Sequence, residues 1–101
     1  MPTLIQIGGE NITVSTTAIG PTSSEITDEV IMAEFYHKSG GGIHVNTVTD
    51  PAAAGVTGDI RQRSGNRWRV WGHDEVQSFL MIREGSVDGV IPVQYYGTGK
   101  T

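Results

Sequence analysis

The chain contains no cysteine, and residues that favour helices are scarce. Without thiols there is no disulfide framework, no thiolate nucleophile and no cysteine-based zinc or iron–sulfur site. Any metal would have to be held by His, Asp or Glu. No run approaches the ~20 apolar residues of a membrane-spanning helix, and Met1-Pro2-Thr3-Leu4 lacks the basic and apolar regions of a secretory leader. The expectation is therefore a soluble protein made in the cytoplasm. Leu and Ala together number only 7, against 31 for Val, Ile and Thr. Leu and Ala lead helix propensity and β-branched residues suit a pleated surface, so the composition points to an all-β fold.

The 101 residues suit one small domain, 1–101, with a formal charge of −4. A core of this size is marginal, and association with other chains would help it. The acidic balance gives no general attraction to nucleic acid or anionic lipid.

Short extended runs alternate with Gly, Pro, Asn and Asp, with no repeat and no linker. Leu4–Ile7 reads as a strand stopped by Gly8-Gly9-Glu10, and Asn11–Thr17 as a second with Ile12 and Val14 on one face. Glu29–Tyr36 reads as a strand covered on both sides. Ser39–Gly42 looks like a hairpin connection to Ile43–Val48, and Asp50–Gly55 like a loop or helical turn. Thr57–Arg63 is weakly strand-like. Ser64-Gly65-Asn66 turns into Arg67–Trp71, which Gly72-His73-Asp74 ends; Phe79–Arg83 and Val90–Tyr96 complete the set, and 97–101 is read as a flexible tail. About seven to eight strands at this spacing predict an antiparallel β-sandwich or jelly roll.

Candidate chemistry is sparse. Gly97-Thr98-Gly99-Lys100-Thr101 resembles the end of a phosphate loop, but Gln94 stands where the first glycine is needed. His37, His44 and His73 show no metal-ligand spacing and read as exposed hairpin or turn residues. Asp59, Asp74, Glu75 and Asp88 read as acidic turn residues, and no serine sits in a G-x-S-x-G elbow. The calcium loop pattern is missing, and Asn11-Ile12-Thr13 matches a glycosylation sequon that matters only in a secreted eukaryotic chain. No catalytic residue, metal site or cofactor is expected.

The densest cluster is Arg61, Arg63, Arg67 and Arg69 with Trp68 and Trp71 interleaved. Strand alternation puts Arg67, Arg69 and Trp71 on one face and Trp68 with Val70 on the other. Arg and aromatic residues can stack bases, but they are also enriched at the centres of protein interfaces. With an acidic net charge the protein interface is favoured, and nucleic acid is not expected as a partner. Tyr95-Tyr96 closes the core on one side and a surface on the other, which adds Tyr96 to the candidate interface residues Arg67, Arg69 and Trp71.

The sequence over roughly 60–97 resembles small structural proteins of tailed phages. The resemblance is carried by Arg67-Trp68-Arg69-Val70-Trp71, the turn Gly72-His73-Asp74-Glu75-Val76, the run Phe79-Leu80-Met81-Ile82-Arg83-Glu84-Gly85, and the closing Val93-Gln94-Tyr95-Tyr96. It is similar to β-sandwich or jelly-roll capsid decoration, or cement, proteins. The resemblance implies a non-enzymatic subunit on the capsid exterior that forms a homo-oligomer, most often a trimer, and binds the major capsid protein. Other readings are a tail or adaptor component, a carbohydrate-binding module using Trp68, Trp71 and Tyr96, and an enzyme with a pocket around His73 and Asp74.

Overall fold

The computed structural model describes residues 4–46, 60–83 and 85–98. Two antiparallel sheets face one another, as the composition predicts. The strands are β1 (Ile5–Val14), β2 (Met32–Tyr36), β3 (Ile43–Asn46), β4 (Ile60–Gln62), β5 (Arg67–Trp71), β6 (Leu80–Arg83) and β7 (Gly89–Gly97). One sheet has the order β1-β7-β2-β5 and the other β4-β3-β6.

The pairings are nested. β1 pairs with β7, β2 with β5 and β3 with β4, each pair lying inside the previous one along the chain. Between the first two pairs comes a single antiparallel bridge from Ile19 to Met81 of β6. Its two backbone hydrogen bonds, Ile19 N to Met81 O at 2.9 Å and Met81 N to Ile19 O at 2.7 Å, place a rudimentary strand at the free edge of β6. The result is a folded-back ribbon wound into a sandwich, the jelly-roll order with its second strand reduced to one bridge. β7–β2 and β3–β6 are the contacts that close the winding.

Inward residues follow strand alternation. Ile12, Val14, Ala33, Phe35, Ile91, Val93 and Tyr95 come from the first sheet and meet Ile43, Val45 and Met81 from the second. Phe35 lies at the centre, stacked on Trp68 (ring centroids 5.5 Å apart, planes 4° off parallel) and tilted against Phe79 at 4.7 Å. Ile26, Val30 and Val76 are also buried in this core.

The structure departs from the sequence reading in several places. Gly8-Gly9-Glu10 does not stop a strand: β1 runs through it, and a register shift between Gln6 and Gly8 absorbs the irregularity. Local propensity yields here to the ladder that β7 offers. Ser39–Gly42 is no hairpin, since β2 and β3 lie in different sheets. Gly40 takes φ +100° and packs against the Asp88 carbonyl, which a Cβ would approach to 2.0 Å, so the chain can cross between the sheets. Ser64-Gly65-Asn66 likewise turns from one sheet to the other.

A six-residue helix, α1 (His73–Ser78), fills what reads in sequence as a loop. Gly72, at φ +102°, reverses the chain, Val76 is buried, and Asp74 and Glu75 complement the dipole of the first turn. β7 continues through Gly97, which is buried, so only Thr98 of the expected tail is described beyond it. Asp50–Gly55 and Thr57–Asp59 lie outside the described residues.

A polar tie links the neighbouring strands β1 and β7 to the segment before the 3-10 turn. The Tyr95 hydroxyl donates to the Glu10 carboxylate, which also accepts from Thr22 N at 2.9 Å and Thr22 Oγ1 at 2.7 Å. Burial, then the hydrogen bond it donates to Glu10 and the negative charges of Glu10 and Glu25, push the Tyr95 hydroxyl well above the ordinary tyrosine range. In the unfolded chain this phenol ionises near the usual value of about 10. Its contribution is therefore complete below that pH and is lost progressively above it. Urea unfolding should show stability falling as pH rises past about 10, and Tyr95→Phe should reduce that fall while costing about 1.5–3 kcal/mol at neutral pH.

Candidate partner-binding face

The outer face of the four-stranded sheet is built by the same alternation that sends Trp68 and Val70 inward. Along β5 the exposed positions are Arg67, Arg69 and Trp71. Antiparallel register sets Met32 of β2 opposite both Trp71 and Tyr96, giving the cross-strand row Trp71, Met32, Tyr96. The next row is Arg69, Glu34, Gln94, and beyond it Arg67 stands opposite Tyr36. All four residues singled out from sequence thus lie on one face.

Most polar groups on this face are engaged within it. Arg69 Nε lies 3.0 Å from Glu34 Oε2, and the Arg67 guanidinium sits 4.3 Å from the centre of the Tyr36 ring. The Tyr96 hydroxyl donates to Gln94 Oε1 at 2.9 Å. These contacts hold long side chains flat and lower the entropy lost on docking a partner. Trp71 is different: it is 56% exposed, whereas Met32 beside it is buried by its neighbours. Two shallow depressions flank the rows, one of about 410 Å³ lined by Glu34, Arg67, Trp68 and Arg69, the other of about 210 Å³ lined by Glu34, Tyr36, Arg67, Pro92 and Gln94.

Strand alternation sets Glu34 on the face of Met32 and Tyr36, and Gln94 on that of Tyr96, but it does not show that both line up with Arg69. Their relevance depends on register between strands tens of residues apart, which no local pattern carries. The arginine cluster is also divided: Arg61 belongs to β4 of the other sheet and Arg63 to the turn that follows, leaving Arg67 and Arg69 on the face.

The histidines are not exposed turn residues. His37 is fully buried, its Nε2 2.6 Å from the Gly41 carbonyl, so it pins the glycine crossover. His73 Nδ1 lies 3.1 Å from the Val30 carbonyl and fastens α1 to the sheet, and His44 is half-buried on β3. Among the described residues no group of three or more His, Cys, Asp or Glu could hold a metal ion. Trp68, stacked on Phe35, points inward from edge strand β5 and only borders the larger depression. No protein-family model, curated protein or solved structure matches the chain.

The two tryptophans therefore separate surface from core. Trp71→Ala should leave stability within about 0.5 kcal/mol of the parent, whereas Trp68→Ala should cost about 3 kcal/mol in urea denaturation.

Proposed function

We propose that the protein is a non-enzymatic structural subunit of a virion, a decoration or cement protein on the capsid exterior. It associates with itself, as a trimer, and binds subunits of the major capsid protein. The observation that carries this reading is the rigid outer face on which Arg67, Arg69, Trp71 and Tyr96 converge. Arg and Trp supply much of the binding energy at protein interfaces, and here they stand on strands rather than on loops. The sequence resemblance over 60–97 supports the same reading.

The arrangement suits a protein partner better than nucleic acid. Arg69 is already matched in charge by Glu34, and Arg67, stacked on Tyr36, is the one cation of this pair without a carboxylate among the described residues, a weak basis for phosphate binding. A subunit that binds a surface present only in the assembled shell stabilises that shell by mass action, by about 2.7 kcal/mol per site when its free concentration is a hundred times Kd.

Co-sedimentation of the purified protein with expanded capsids lacking it tests the proposal. Saturable binding is expected, weakened about tenfold or more by Trp71→Ala or Arg69→Ala, equivalent to about 1.4 kcal/mol or more. No binding to such capsids would overturn it. Density at capsomer junctions rather than at the neck or tail would distinguish cement from adaptor.

A second reading rests on the Trp71–Met32–Tyr96 row. Two aromatic side chains two strands apart, about 9–10 Å, could stack on a glycan chain laid across the sheet. Glycan-array binding that disappears in Trp71→Ala is the outcome this reading requires, and a blank array excludes it.

A further inference from the structure

The register sorts exposed charge to opposite ends of the sandwich. At the end where β5 and β7 finish and β2 begins lie Glu25 of the 3-10 turn, Asp28 of the following turn, and Asp74 and Glu75 of α1, all exposed. At the other end lie Lys38, just after β2, Arg63, in the turn before β5, and Arg67, the first residue of β5. Backbone hydrogen bonds from His37 N to Asn66 O and from Gly65 N to His37 O draw the segments carrying these three cations together. Arg83, which also points to this end, is already paired with Asp88 at 2.6 Å.

None of these four carboxylates or three cations forms an ion pair among the described residues. At a rise of about 3.3 Å per residue the two poles are about 20 Å apart, two Debye lengths or more at physiological salt. They cannot neutralise one another within a subunit. Brought within a few ångströms across a contact, they are complementary in sign and nearly in number.

We infer that the subunit associates with further copies of itself head to tail, the acidic pole of one copy seated on the basic pole of the next. This deepens the self-association in the proposed function and rests on that part of the reading alone. A contact between unlike surfaces leaves each copy with one pole still open; it closes into a ring such as a cyclic trimer where the rotation between copies allows, and otherwise runs on as a filament. β5 fits this role. It is an edge strand of its sheet, with Arg67 at the basic end and the exposed Trp71 at the acidic end. Head-to-tail contact brings one copy's indole towards the next copy's guanidinium, a favourable cation–π partnership.

Sedimentation velocity of the purified full chain, without capsids, tests the inference separately from the capsid-binding proposal. Association is expected at about 20 mM NaCl, with the dissociation constant rising tenfold or more at about 0.5 M. Asp74→Lys with Glu75→Lys, and separately Lys38→Glu with Arg63→Glu, should each sediment as a monomer at low salt while keeping the parent's far-ultraviolet dichroism and cooperative melting. An equimolar mixture of the two double variants should associate again, since each now offers the charge the other requires. A parent that is monomeric at both salt concentrations overturns the inference. So does association indifferent to salt and to both reversals, or a mixture of folded variants that stays monomeric.

Discussion

The ladder between β1 and β7 is the pairing on which the rest of the molecule depends. It is the outermost of the nested pairs, running from Ile5 opposite Gly97 to Val14 opposite Gly89. β7 is also the strand against which β2 is laid, and β2 in turn holds β5. Loss of the ladder would therefore remove the support of the candidate face as well as one wall of the core. The Tyr95–Glu10–Thr22 tie reinforces it at the level of side chains, joining β7, β1 and the segment that leads into the 3-10 turn.

β5 shows how few residues can serve both core and surface. Of its five side chains, Trp68 and Val70 turn inward, where the indole stacks on Phe35, and Arg67, Arg69 and Trp71 turn outward. Arg67 and Arg69 are held by Tyr36 and Glu34 on β2, so that part of the face is organised in the isolated chain. Charge on an edge strand also discourages indiscriminate strand addition, which favours contacts of defined geometry.

Strand identity and facing were legible because they are local: β-branched residues dominate, and Arg67–Trp71 alternates without interruption. The two-sided reading of Tyr95 and Tyr96 was legible for the same reason. What was not legible depended on distant partners. Gly8 and Gly9 are weak strand formers that β7 recruits, and Ser39–Gly42 has hairpin chemistry although its flanking strands belong to different sheets. His37 looked like a turn residue because nothing local reports that Gly41 and Gly89 close over it. Alternation sets Glu34 and Gln94 on the outward sides of β2 and β7, but their alignment with Arg69 depends on register. Helix α1 was hidden because one buried residue, Val76, anchors it, too few to create a period.

The outer ladder has a mechanical consequence. Its terminal pair, Ile5 and Gly97, lies at one end of two antiparallel strands, so tension applied through these residues pulls perpendicular to the strands and parallel to the hydrogen bonds. Such loading peels the pairs open one after another, and the peak force is set by a single rung. Load spread across the face of the sheet engages many interactions at once. A fold built this way withstands load spread across its sheet far better than tension drawn through Ile5 and Gly97.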